Sequence, residues 1–292
     1  MKKKEFEGST VVIMTCSNCN VRCKHCYINY TGNFDAEELY DLCNILVQKY
    51  YVQLNGTEIL LYKDYLKSLE LVKYPYVLTN GLQLQREPEL IDELIKVGVK
   101  YVGMSYHFGI HEEISKVPRS IIEGNILKLR EKGILPELRT TITSKNYLLI
   151  SSMCEEAIKM GAGAIKFTNY MKAGSAKNMS DDNVLTQNQL KTFFRLLEEA
   201  RQKYSKDTFL IRRCGSFGYD CTKCKSSFDC LAGRKMAVIT PNMNVYPCIF
   251  LMEPGYEIGK VENGKIWIYE DVKNNGHDCL AKKVNNFNKT LF

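Results

Sequence analysis

Residues 11–27 read Val11-Val-Ile-Met-Thr-Cys16-Ser-Asn-Cys19-Asn-Val-Arg-Cys23-Lys-His-Cys26-Tyr27. A short apolar run gives way at once to a loop in which three cysteines stand as CxxxCxxC, with Cys16 just ahead of them. Val11–Thr15 has the length and composition of a buried strand, and similar runs recur at Val52–Asn55, Tyr76–Thr79, Tyr101–Ser105, Leu138–Thr143 and Ala164–Thr168. Between them, Ala36–Gln48, Tyr65–Val72, Glu87–Val97, Ser120–Lys132, Leu148–Met160 and Gln187–Tyr204 carry apolar residues at helical spacing. Strand followed by helix, six times over, implies parallel strands with right-handed crossovers. The expected fold is therefore α/β, a partial (β/α)6 TIM-like barrel over residues 1–204. The cysteine loop then falls at the C-terminal end of the first strand, the edge at which such barrels carry their active sites.

Residues 205–292 change character, with Cys, Gly and Asn around strand-like pieces at Met236–Thr240, Val245–Tyr246 and Lys265–Tyr269. A segment this short buries too little to hold itself, so a small Cys-rich domain stapled by metal is expected. Cysteine placement supports two metal centres. Of 12 cysteines, Cys16, Cys19, Cys23 and Cys26 crowd the N-terminal part, while Cys214, Cys221, Cys224, Cys230, Cys248 and Cys279 lie in the C-terminal part. Cys43 and Cys154 stand alone in helical patterns and read as small buried hydrophobes.

Composition narrows the class. With 292 residues, 45% hydrophobic and 25% charged, the chain is neither collagen, low-complexity disorder nor coiled coil. It contains no apolar run of about 18 residues, so no membrane span is expected. MKKKEFEG lacks the apolar core of a secretory signal, which points to the cytoplasm, and its lysines read as a solvated tail. A net charge of +7 without a Lys/Arg stripe argues against a nucleic-acid partner.

Three closely spaced thiolates can hold three irons of a cubane cluster and leave the fourth open to ligand. Zinc is the competing metal; it needs a fourth ligand, for which Cys16 or His25 is available. The loop resembles the signature of the radical S-adenosylmethionine (radical SAM) superfamily. That resemblance implies a [4Fe-4S] cluster on Cys19, Cys23 and Cys26, with S-adenosylmethionine on the open iron and the aromatic Tyr27 following the last cysteine. The family's Gly-Gly-Glu segment reads Asn55-Gly56-Thr57-Glu58 here, so Asn replaces one Gly and Glu58 is the expected partner of the S-adenosylmethionine amine. Gly56 and Thr57 would bring backbone close to the ligand. Thr79, Asn80, Ser105, Arg119, Arg139 and Asn146 also resemble family positions. The resemblance implies reductive cleavage of S-adenosylmethionine to a 5′-deoxyadenosyl radical, with electrons from a donor such as flavodoxin or ferredoxin.

Cys214-x6-Cys221-x2-Cys224-x5-Cys230, followed by Thr240-Pro241-Asn242-Met243-Asn244 and Pro247-Cys248, is similar to the SPASM/twitch extension of some radical SAM enzymes. It implies one auxiliary [4Fe-4S] cluster on Cys224, Cys230, Cys248 and Cys279, with Cys221 as the alternative ligand. A zinc knuckle of Cys214, Cys221 and Cys224 stays open. The usual hairpin Gly is Met243, so Asn244 is expected to take the positive-φ position. Cys214 is a candidate hydrogen-atom donor. The commonest substrate for such enzymes is a ribosomally synthesised precursor peptide, cross-linked through thioether, carbon–carbon or ether bonds, or epimerised. Small-molecule dehydrogenation and sulfatase-maturase-like oxidation are the neighbouring activities, and a zinc-stapled binding module is the alternative from another class. The first strand begins near residue 10, which leaves no room ahead of it for a leader-recognition domain, so a separate leader-binding protein or direct peptide binding is expected. Tyr106, His107, Phe108, His111, Asn169, Tyr170 and Gly174 are expected at the barrel mouth, the histidines serving packing or proton transfer.

Overall fold

The structure, a computed structural model, describes residues 2–206, 208–214 and 232–270. Among these, the chain forms two compact units. The first comprises residues 2–20, 28–102 and 232–270; the second comprises residues 21–27, 103–206 and 208–214. In chain order the elements begin with β1 Lys3–Glu5, β2 Thr10–Met14, α1 Ala36–Leu46, β3 Tyr51–Asn55, α2 Leu66–Leu69, β4 Tyr76–Thr79, α3 Leu82–Arg86 and α4 Leu90–Lys96. β5 Tyr101–Ser105 leads into the second unit, which holds α5 His111–Ile114, α6 Arg119–Glu131, β6 Leu135–Ile142, α7 Ile150–Met160, β7 Ala164–Asn169, α8 Gln187–Tyr204 and β8 Leu210–Arg213. β9 Met236–Ile239, β10 Asn244–Tyr246, β11 Gly259–Glu262 and β12 Lys265–Tyr269 return to the first unit.

Val11, Val12, Ile13 and Met14 are all buried, the pattern of a parallel strand covered on both faces. Accordingly β2 pairs in parallel with β3 on one edge and with β9 on the other. The sheet continues antiparallel through β10, β11 and β12 to β1, in the order β1-β12-β11-β10-β9-β2-β3. Asp35 caps α1 by accepting the N–H groups of Glu37 and Glu38, and Leu39, Leu42, Cys43 and Leu46 form its buried stripe.

In the second unit the strands run in the order β5-β6-β7-β8, with β6, β7 and β8 in parallel register. α8 opens on a capping box between Thr186 and Gln189 and buries Leu190, Phe193, Phe194, Leu197 and Ala200. Phe193 meets Phe167 of β7 edge to face at 6.1 Å, which identifies the helix-covered face of this sheet.

The expected α/β alternation is present, with each of the six anticipated strands. Two helices are shorter than their periodicity suggests: α2 has 4 residues and α4 has 7. The lysine-rich start is not a solvated tail. Lys3–Glu5 pairs antiparallel with β12, while Lys3 is ion-paired to Glu262 and stands 5.1 Å over the Trp267 ring. An edge with free hydrogen-bonding groups has recruited residues that carry no apolar pattern. The hairpin expectation is also corrected: Met243 itself takes φ 62°, because Asn244 already belongs to β10 and pairs with Lys260. Cys43 and Cys154 are fully buried, and burial pushes both thiols up to about 12.

Phe193→Ala should destabilise the chain by about 3–5 kcal/mol, through lost burial and the cavity left against Phe167. Urea unfolding of the variant beside exposed Leu127→Ala checks this; the latter should stay within about 0.5 kcal/mol of wild type.

Candidate active site

In the first unit, the end of β2 is fixed by one carbonyl. Cys16 O accepts the Thr57 N–H at 3.0 Å, the Thr57 hydroxyl at 3.0 Å and the Tyr30 hydroxyl. A Cβ at Gly56 would lie 2.7 Å from Thr15 Oγ1 and 2.8 Å from Cys16 Sγ, so the missing side chain here admits the end of β2. Cys16 is buried, and burial pushes its thiol up.

The next residue along, Glu58, is fully buried. Its Oε2 accepts the Asn80 N–H at 2.8 Å, while Oε1 completes no hydrogen bond. Burial pushes this carboxyl up to about 7, against the lowering influence of donors at Asn80, Thr79 and Leu60. The Asn80 side chain donates to Asn20 Oδ1 at 2.8 Å and to Cys19 Sγ at 3.6 Å. Thr79 Oγ1 accepts from Gly81, whose φ of 85° turns the chain into α3. One asparagine thus joins the carboxylate at the end of β3 to the first cysteine of the loop. Asn20 was not singled out from the sequence, although its place beside Cys19 could have suggested it.

Cys23 and Cys26 belong to the second unit. The Lys24 N–H donates to Ile114 O at 3.1 Å, and the Ala176 N–H donates to Cys26 O at 3.4 Å. Burial and the neighbouring Cys26 both push the Cys23 thiol up, while Ser115 and Lys116 draw it down. His25 meets His107 edge-on at 4.3 Å, and burial holds it down at about 4. His107 Nδ1 accepts the Thr141 N–H at 3.1 Å, its Nε2 is buried without a partner, and burial holds its pKa low. His111 Nδ1 accepts the His107 N–H at 3.1 Å, and its Nε2–H donates to Val117 O at 2.7 Å. Both of these histidines are therefore neutral packing groups of the loop after β5.

Asn146 is engaged in the same way, donating to Phe108 O and Thr141 O and accepting from Thr143. Tyr170 donates to Ala176 O at 2.6 Å. Arg119 donates to the Tyr106 hydroxyl at 2.7 Å and is ion-paired to Glu156, and Arg139 donates to Glu137 at 2.9 Å. Ser105 closes β5, Tyr27 ends the loop segment of the second unit, and both are half-buried. Cys214 follows β8, its N–H donating to Phe167 O at 2.8 Å, and Cys248 follows β10. Cys221, Cys224, Cys230 and Cys279 lie outside the described residues. Among the described residues, no three Cys, His, Asp or Glu side chains stand together as a metal-binding group. No described helix is long and apolar enough to cross a membrane.

These residues suit an S-adenosylmethionine–cluster pair in two respects. Buried Oε1 of Glu58 calls for a cationic donor, and half-buried Cys23, its thiol pushed up by burial and by Cys26, becomes a thiolate readily only beside a metal charge.

The chain has the radical S-adenosylmethionine fold. It is similar to SuiB of Streptococcus suis bound to precursor peptide SuiA, with TM-score 0.69 and 16% identity over 86% of this chain and 61% of that one. SuiB bound to S-adenosylmethionine gives 0.68 and 16% over 87% and 61%. Native anSMEcpe with bound AdoMet and Cp18Cys peptide gives 0.63 and 18% over 87% and 77%. The chain thus spans less than two thirds of SuiB in these two complexes, and at such identities the likeness is one of fold. No protein-family model and no curated protein matches the sequence.

Glu58 has a pH signature. Its carboxyl is raised from 4.5 to about 7, so between those values the folded chain keeps a proton that the unfolded chain has lost. Stability should therefore fall as pH rises through this window. Glu58→Gln removes the charging step, and its advantage over wild type should grow to about 3 kcal/mol by neutral pH. Urea midpoints of both proteins across that range measure it; a gap independent of pH would show that Glu58 ionises in the fold as readily as in the unfolded chain, and that burial does not raise it.

Proposed function

We propose that this chain is a radical S-adenosylmethionine enzyme that abstracts hydrogen from a ribosomally synthesised peptide and so directs its cross-linking or epimerisation. The observation that carries the reading is the Glu58–Asn80–Cys19 connection, which ties a buried carboxylate with one oxygen unpartnered to the cysteine loop. S-adenosylmethionine, bound at a [4Fe-4S] cluster and given an electron, supplies a 5′-deoxyadenosyl radical able to attack an unactivated carbon. Cys19, Cys23 and Cys26 hold that cluster. Glu58 Oε1 accepts from the ligand ammonium, and Asn80 orients the carboxylate through its backbone N–H. Tyr27, Gly56, Thr57, Thr79, Ser105, Arg119 and Arg139 complete the cofactor-binding set.

In this reading residues 1–204 are the catalytic part and residues 205–292 the auxiliary part, where Cys224, Cys230, Cys248 and Cys279 or Cys221 hold a second [4Fe-4S] cluster. Cys214 stands ready as hydrogen donor. A flavodoxin or ferredoxin supplies the electron in the cytoplasm. The peptide substrate is supported by the peptides present in the SuiB and anSMEcpe complexes.

Anaerobic reconstitution tests the reading. The protein should take up iron and sulfide and form 5′-deoxyadenosine under reductant, and Cys23→Ala should abolish that product. Glu58→Ala should retain its iron but bind S-adenosylmethionine about 10- to 150-fold more weakly, the loss of a charge-assisted hydrogen bond of roughly 1.5–3 kcal/mol. Colourless protein carrying only zinc, or cleavage undiminished in Cys23→Ala, overturns it.

A further inference from the structure

The face of β6, β7 and β8 turned away from Phe193 carries a row of charge. Parallel register sets Arg139 beside Lys166, and Lys166 beside Arg212. Glu137, two residues before Arg139 on the same face, is buried and accepts from Arg139 at 2.9 Å and from Arg212 at 3.1 Å. The row thus holds three cations and one carboxylate, whose two oxygens are taken by the arginines. Lys166 is half-buried and makes no ion pair or hydrogen bond among the described residues. Burial lowers its pKa first, then Arg139; Arg212 acts in the same direction, while Glu137 and Cys214 oppose them. An unpaired ammonium between two guanidinium groups works against folding, and such a placement belongs to a site that awaits an anion. Thr141 and Thr168 continue the same face beyond Arg139 and Lys166, so the row opens onto uncharged polar residues.

We propose that Lys166, set between Arg139 and Arg212, receives a carboxylate of the substrate and holds it near Cys214. The inference rests on the peptide-modifying reading, because an Asp or Glu side chain or a C-terminal carboxylate is the anion a peptide brings. A carboxylate of S-adenosylmethionine offers the same chemistry, and the experiment separates the two sources.

Reconstituted holoprotein is titrated, without reductant, with two fluorescently labelled pentapeptide amides, Ala-Ala-Glu-Tyr-Ala and its Gln counterpart, and followed by anisotropy. Wild type should prefer the Glu peptide by about tenfold or more, and Lys166→Met should reduce the preference to within about threefold. Lys166→Met should also unfold at no lower temperature than wild type and bind S-adenosylmethionine equally well. Equal binding of the two peptides by wild type, or a preference that survives in Lys166→Met, overturns the proposal. So does a weakened S-adenosylmethionine affinity in the variant, which would assign the anion to the cofactor. A wild type that prefers the Glu peptide yet binds no S-adenosylmethionine would defeat the radical reading while upholding the anion site.

Discussion

The carbonyl of Cys16 holds the candidate site together. A carbonyl oxygen has two lone pairs, and this one is shared among three donors from two segments, Thr57 and Tyr30. It fixes where the chain leaves β2 and where the residues after β3 must pass. Ser17 reinforces the turn, donating through its N–H to Asn33 Oδ1 at 3.1 Å and accepting the Gly32 N–H at 3.0 Å. Glu58 is buried as a consequence, for the backbone on its N-terminal side is tied to the end of β2. Cys16 itself contributes a carbonyl and a packed thiol.

Much of this was legible in the sequence where one local pattern decides the outcome. Val11 to Met14 could only be a strand covered on both faces, and the amphipathic stripe of Gln187–Tyr204 matches α8 residue for residue. The cysteine loop was placed correctly because it follows directly on that first strand. Long-range contacts were not legible. β1 is a strand because β12 offers an edge, and nothing within Lys3–Glu5 announces it. Asn80 meets Cys19 and Glu58 only through the packing of the first unit. Lys166 is legible as an exception: a lysine between buried Ile165 and Phe167 interrupts the apolar start of β7.

Charge placement separates residues that hold the fold from residues that point to chemistry. Lys49–Glu5, Lys96–Glu93 and Arg195–Glu199 are pairs open to solvent, where water screens the attraction and little is left for stability. His107 and His111 are buried, and burial keeps them neutral. Glu137 is buried and charged, yet two guanidinium groups satisfy it. Against that background, Glu58 in the first unit and Lys166 in the second are exceptions. Each is withdrawn from water, wholly or in part, with bonding capacity left over.

A fold optimised only for stability would replace both, Glu58 by Gln and Lys166 by an apolar residue. Their signs are also informative. The unit with the spare anion is suited to a cationic group, and the unit with the spare cation is suited to a carboxylate. Burial strengthens either interaction, because the competing water has already been removed from the protein side. The same burial makes each ligand group indispensable: an amine lacking its charge, or an amide in place of a carboxylate, would leave the protein group desolvated and unpaired. Discrimination at these two positions would therefore derive from the penalty for the wrong ligand as much as from attraction to the right one.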